Sequence, residues 1–112
     1  MKALCVLGST GSIGVSTLDV VRRLPKKFRV HSLTAGANAQ KLAEQAAEFK
    51  PARIAISDKE KYADLKSQLN GYRGEVLAGD DALCALAEDA GSDYVVSAIV
   101  GAAGLQPTLA AL

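Results

Sequence analysis

The segment Gly8-Ser9-Thr10-Gly11-Ser12-Ile13-Gly14 has the residue types and the spacing that hold a phosphate. It lies between an apolar run and a helical stripe, where a strand should turn directly into a helix. The first amide N–H groups of a helix have no partner within it, and that end of the helix dipole is positive, so a pyrophosphate is favoured there. Gly8 permits a tight turn, Gly11 removes a side chain where phosphate must come close, and Gly14 lets the helix pack against the strand. Ser9, Thr10 and Ser12 are expected to add hydroxyl donors. The spacing is G-x-x-G-x-x-G rather than the commoner G-x-G-x-x-G, and no Gly-Lys-Ser/Thr follows, which excludes a Walker-type loop. A tight turn without ligand would need the glycines too; the position and the hydroxyls together favour the phosphate.

A second set of candidates follows the second strand. Dinucleotide-binding domains that choose NAD carry Asp or Glu about 20 residues past the glycines, where it binds the ribose hydroxyls. Here the region reads Ser32-Leu33-Thr34-Ala35-Gly36-Ala37-Asn38 and holds no acid. A 2′-phosphate would meet no repulsion, which favours NADP. Gly36, Ala37 and Asn38 open the next helix, another N-terminus suited to a phosphate, with Lys41 one turn on. Asn38 reads equally as an N-cap, and Lys41 equally as a solvated surface charge. The stretch Val95 to Gly104 ends a fifth strand and either walls the ligand crevice or packs the core.

The elements that must position these residues alternate along the chain. Ala3 to Leu7 is apolar throughout, as in a strand buried on both faces of a parallel sheet. Ile13, Thr17, Val20, Val21 and Leu24 are spaced as one helical stripe that ends at Leu24-Pro25. Phe28 to Ala35 is a second strand, and Leu42, Ala46 and Phe49 mark a second helix closing before Pro51. Arg53 to Ser57 is a third strand, after which Asp58 is placed to cap the helix of Tyr62, Leu65 and Leu69, broken at Asn70-Gly71. Glu75 to Ala78 is a fourth strand, Asp80 or Asp81 caps a helix bearing Leu83, Leu86 and Ala87, and Asp93 to Ile99 is the fifth strand. Gly101 to Gly104 is a loop, and Pro107 suits the first turn of a helix truncated at Leu112. Strands joined through helices select a parallel sheet covered on both sides. The fold expected is therefore α/β, an open doubly wound parallel sheet of the Rossmann type in a single domain.

Composition bounds the function. A chain of 112 residues suits one domain. It is 49% hydrophobic with a formal charge of only +1, so it lacks a strong field for nucleic acid or an anionic membrane. Cys5 and Cys84 have neither C-x-x-C nor zinc-ligand spacing and read as reduced thiols. No apolar stretch approaches a membrane span and no secretory signal opens the chain, so the expected location is cytoplasmic.

Motifs from one end of the chain to the other resemble the 1-deoxy-D-xylulose-5-phosphate reductoisomerase family. They are Gly8 to Gly14 with Ser16 to Val21, then Phe28-Arg29-Val30, then Ala35 to Asn38, and finally Ala98 to Thr108, in that order. The resemblance implies an NADPH-dependent oxidoreductase and isomerase of isoprenoid biosynthesis. With a divalent metal, Mg or Mn, that enzyme rearranges and reduces 1-deoxy-D-xylulose 5-phosphate to 2-C-methyl-D-erythritol 4-phosphate. It implies cofactor contacts at Thr10, Gly11, Ser12, Ile13, Gly36, Ala37 and Asn38. Family members often carry a lysine or another polar residue where this sequence has Ala37, which leaves only backbone contact there. The family's Asn-Lys-Glu-Ser segment, its carboxylate metal ligands and its active-site loop have no counterpart here. Residues 1–112 are thus expected to be the NADPH-binding domain, inactive alone, of a longer enzyme that is a homodimer. No catalytic and no metal-binding residue is assigned within them.

Two other readings remain open from sequence. One is the Rossmann domain of a semialdehyde-dehydrogenase-type NADP reductase, whose downstream sequence would carry a catalytic cysteine. The other is a non-enzymatic dinucleotide-sensing module. His31 is the only histidine and has no metal-ligand neighbour in sequence, and the pairs Asp80-Asp81 and Glu88-Asp89 suit capping and solvation.

Overall fold

The structure is a computed structural model that describes residues 2–69, 71–88 and 91–97. Five strands, β1 (Lys2–Leu7), β2 (Phe28–Ala35), β3 (Arg53–Ile56), β4 (Glu75–Ala78) and β5 (Tyr94–Ser97), alternate with helices α1 (Ser12–Arg23), α2 (Ala39–Phe49), α3 (Tyr62–Gln68) and α4 (Asp80–Ala87). A 3-10 turn over Lys59–Lys61 leads into α3. All described pairings are parallel, and the sheet order is β4-β3-β2-β1-β5. The chain winds outward from β1 to β4, then returns to the other side of β1. In open α/β sheets ligands bind outside the carboxyl ends of the strands where the order reverses in this way, which here is at β1.

The two faces of the sheet carry separate cores. Leu4 and Val6 of β1 pack with Leu18 and Val21 of α1, Leu42 and Ala46 of α2 and Leu65 of α3. Cys5 and Leu7 turn to the opposite face and pack with Leu83 and Leu86 of α4. Side chains alternate along a strand, so β1 is apolar at every position because both of its faces are covered. The sheet is doubly wound, as its sequence pattern implies. No disulfide joins Cys5 to Cys84. No described helix is long and apolar enough to cross a membrane.

Three local expectations are corrected. The buried face of α1 is Gly14, Leu18 and Val21, whereas Ile13, Val20 and Leu24 of the anticipated stripe are exposed. Its N-terminal glycine, which has no apolar side chain to count, lies against the turn and rotates the buried face away from that stripe. α4 is capped by Gly79 at φ 97°, not by Asp80 or Asp81, which form its first turn. Asp80 instead accepts a hydrogen bond from the Ser57 hydroxyl. Asp58 caps the 3-10 turn by accepting from the Glu60 N–H at 3.0 Å, so α3 itself starts later, at Tyr62.

One irregularity was not legible from periodicity. Leu4 pairs with Val30 but Cys5 with Ser32, so β2 holds one extra residue, His31, opposite β1. Such a bulge bends the strand and re-aims the residues beyond it. Downstream of it β2 delivers Thr34 to the glycine turn. Asn70, Asp89, Ala98 and Ile99, the Gly101 to Gly104 loop and the helix expected at Pro107 lie outside the described residues.

Candidate dinucleotide-binding site

The glycine turn is held from beneath. Gly8 leaves β1 at φ 77°, a left-handed backbone that a side chain would strain. Its N–H donates to Thr34 Oγ1 at 3.0 Å, and the Ser9 N–H donates to the Thr34 carbonyl at 2.8 Å. The Gly11 N–H returns to the Gly8 carbonyl at 3.2 Å, closing the turn. α1 then lies directly on it: a Cβ on Gly14 would stand 2.3 Å from the Gly8 carbonyl oxygen and 2.6 Å from Ser9 Cα. No side chain fits there, which explains the third glycine of the motif.

Above the turn the helix start is open. Gly11 is the N-cap and offers no side-chain acceptor, and the first turn of α1 contains no acid. Gly11 accepts from the Val15 N–H at 2.9 Å, while among the described residues the amides of Ser12, Ile13 and Gly14 form no turn or cap hydrogen bond. Gly11, Ser12 and Ile13 are exposed and Thr10 is half-buried. Ile13, 57% exposed, is a large aliphatic side chain spread on the surface beside three unengaged donors. The arrangement suits an anion carrying an apolar neighbour.

Ser9 departs from its expected part. It is fully buried, and its hydroxyl donates to Gln45 Oε1 at 2.6 Å. Its hydroxyl therefore faces α2 instead of the open side of the turn, and only Thr10 and Ser12 remain as surface hydroxyls. Gln45 and Thr34 were missed in the sequence because an amide inside an amphipathic helix and a threonine in a strand are ordinary at those places.

The second group of candidates stands on the neighbouring strand. Gly36, Ala37 and Asn38 are exposed where β2 passes into α2. The Ser57 N–H donates to the Ala35 carbonyl and the Asp58 N–H to the Gly36 carbonyl, both at 2.8 Å, so the strand end is fixed. Asn38 accepts from the Lys41 N–H at 3.1 Å, which confirms it as the N-cap. The cap occupies Oδ1 and leaves the side-chain amide NH2 as a donor. The first turn of α2 holds no acid. Since β1 and β2 are hydrogen-bonded neighbours, the starts of α1 and α2 stand side by side on one edge of the sheet. Neighbouring strands lie about 5 Å apart, so the two helix starts are close enough for one molecule to carry a phosphate to each.

The two helices are also tied at their far ends. Arg22 of α1 makes a two-pronged contact with Glu48 of α2, at 2.5 and 2.8 Å, and its guanidinium lies 5.4 Å from the centre of the Phe49 ring. The hydrogen bond to that guanidinium holds the Glu48 carboxyl below the usual carboxylate range. Both partners are exposed, so the pair orients the helices more than it stabilises the fold.

Among the described residues, cavities open at both ends of the strands. One of about 470 Å³ lies at the carboxyl ends of β3 and β4, lined by Ser57, Asp58, Gly79 and Asp80 among others, on the same edge as the two helix starts. A larger one of about 890 Å³ opens at the other edge, between the ends of α2 and α3, beside Lys50, Leu69, Tyr72 and Arg73. There the Tyr72 hydroxyl donates to the Pro51 carbonyl and is pushed up to about 12 by burial. Size alone would select the larger cavity; the open helix starts select the opposite edge. Among the described residues no group of three or more His, Cys, Asp or Glu side chains is placed to hold a metal ion.

The family model for 1-deoxy-D-xylulose 5-phosphate reductoisomerase matches residues 4–112. The chain belongs to the 1-deoxy-D-xylulose 5-phosphate reductoisomerase family. The reductoisomerase of Chlorobium phaeobacteroides is 50% identical over 112 residues, which is all of this chain and 29% of that protein. The solved reductoisomerase of Zymomonas mobilis in complex with NADPH is 44% identical, with a TM-score of 0.92 over 98% of this chain and 29% of that one. A DOX-P reductoisomerase in complex with NADPH, fosmidomycin and magnesium is also 44% identical, with a TM-score of 0.93 over 99% of this chain and 28% of that one. The chain thus spans about 29% of the length of the curated relatives it matches. The match to reductoisomerases disfavours the semialdehyde-dehydrogenase and sensing-module readings.

Proposed function

We propose that residues 1–112 form the NADPH-binding Rossmann domain of a 1-deoxy-D-xylulose 5-phosphate reductoisomerase. The longer enzyme rearranges and reduces 1-deoxy-D-xylulose 5-phosphate to 2-C-methyl-D-erythritol 4-phosphate, acting as a cytoplasmic homodimer. The observation that carries the reading is the pair of adjacent, acid-free helix starts at Gly11 and Asn38. Thr10, Gly11, Ser12 and Ile13 receive the pyrophosphate, and Gly36, Ala37 and Asn38 receive the 2′-phosphate. The divalent metal, Mg or Mn, and the phosphorylated sugar belong to the part of the enzyme beyond this chain's 29% share. The described residues do not fit a metal, and no step is assigned to one among them.

Calorimetric titration of the purified protein with NADPH and with NADH tests the reading. Each charge-assisted hydrogen bond to the 2′-phosphate contributes about 1.5–3 kcal/mol, so NADPH is expected to bind about tenfold to a hundredfold more tightly. Equal affinities, or a preference for NADH, would overturn the assignment of Gly36 to Asn38.

A further inference from the structure

Gln45 is an anomaly in an otherwise apolar helix face. It is 8% exposed, in the midst of Leu42, Ala43 and Ala46, where a long amide side chain loses rotamer freedom and hydration. Both of its ends are satisfied by one residue. Nε2 donates to the Ser9 carbonyl at 2.8 Å, and Oε1 accepts from the Ser9 hydroxyl at 2.6 Å. The Ser9 N–H is already spent on the Thr34 carbonyl. Every polar group of Ser9 is thus fixed from below, in the middle of the turn between Gly8 and Gly11. The same helix begins at Asn38, two turns away, or about 10 Å at 1.5 Å per residue.

We infer that Gln45 is a positioning residue for the dinucleotide: through α2 it sets the pyrophosphate turn in register with the helix start that takes the 2′-phosphate. It touches no ligand, and it acts through Ser9. The inference rests on the cofactor reading proposed above. A filler of the core would influence folding only, whereas this strut joins the two phosphate positions and should govern affinity in the folded protein.

Gln45→Glu separates the two roles, because its protonated carboxyl can still donate to the Ser9 carbonyl and accept from the hydroxyl. Ionised, it has no donor and opposes that carbonyl. The charged groups of α2 and of the elements packed around it do not crowd this spot. Glu44, Glu48, Arg22, Arg29, Asp64 and Lys66 are exposed, Lys41 and Asp19 are half-exposed, and the His31 ring of β2 lies against Gly91. The carboxyl introduced by Gln45→Glu is therefore the group that titrates there, and burial raises its pKa.

The experiment measures NADP+ affinity of wild type and Gln45→Glu in parallel from pH 5 to pH 8, with circular dichroism confirming the folded state. The ratio of their dissociation constants is expected to be near one at pH 5 and to rise to tenfold or more at pH 8. A ratio near one at both ends, with wild type binding, overturns the inference alone. Wild type that binds no NADP+ at either pH overturns the cofactor reading and the inference with it. Should Gln45→Glu unfold at pH 8, Gln45→Met decides, since it keeps the shape and removes both bonds. Tenfold weaker binding by folded Gln45→Met supports the inference, and wild-type binding by it, or its failure to fold at any pH, counts against a positioning role.

Discussion

Gly11→Val is expected to weaken NADPH binding by at least a hundredfold while leaving the protein folded. The residue has φ −81° and ψ 174°, an extended conformation open to any amino acid. A Cβ there would meet only the Gly8 carbonyl oxygen, at an ordinary 3.6 Å. The fold therefore does not require this glycine. A branched side chain would instead stand over the unengaged amides of Ser12, Ile13 and Gly14, the position proposed for the pyrophosphate. Loss of one or two charge-assisted hydrogen bonds, at about 1.5–3 kcal/mol each, accounts for a hundredfold effect. A poorer N-cap costs about 1 kcal/mol, which lowers the thermal midpoint of a domain this size by about 4–8 °C. Calorimetry and thermal melts on the same sample separate the two effects. Normal binding by the folded variant would remove the glycine turn from the site. The contrast is Gly14, whose missing Cβ is demanded by the backbone of Gly8 and Ser9 and not by a ligand.

Asn38→Asp should abolish the preference for NADPH with little change in stability. Aspartate caps a helix as well as asparagine, so the bond accepted from the Lys41 N–H at 3.1 Å survives. What changes is the group facing outward: an amide donor becomes a carboxylate. At 4 Å a unit like-charge pair repels by about 1 kcal/mol in bulk water and about 4 kcal/mol at the effective dielectric of a protein surface. NADPH affinity should fall by about tenfold to a hundredfold, since each factor of ten is about 1.4 kcal/mol. NADH, whose ribose hydroxyls can donate to the carboxylate, should be held at least as well as before. Dissociation constants for both cofactors check this, and an unchanged ratio would place the 2′-phosphate elsewhere.

Much of this site was legible because its signals are local. The three glycines, the absence of an acid from Ser32 to Asn38 and the apolar run of β1 each speak for themselves at their own position. The strand and helix order was readable for the same reason. What escaped was tertiary. Ile13, Val20 and Leu24 share helical spacing as well as Leu18 and Val21 do, and only the packing of Gly14 on the turn decides which set is buried. Ser9 had the chemistry of a phosphate donor, yet its direction depends on Gln45, 36 positions away. The extra residue of β2 is a matter of register between strands, which a single strand's pattern does not carry.

A single dinucleotide bridging the starts of α1 and α2 is the central claim, and amide chemical shifts of the 15N-labelled protein during an NADPH titration test it most directly. The largest shifts are expected at Ser12 to Gly14 and at Gly36 to Lys41, both sets saturating with one dissociation constant, while Lys50, Tyr72 and Arg73 beside the larger cavity stay still. Shifts gathered at that cavity, or two sets that saturate independently, would contradict it.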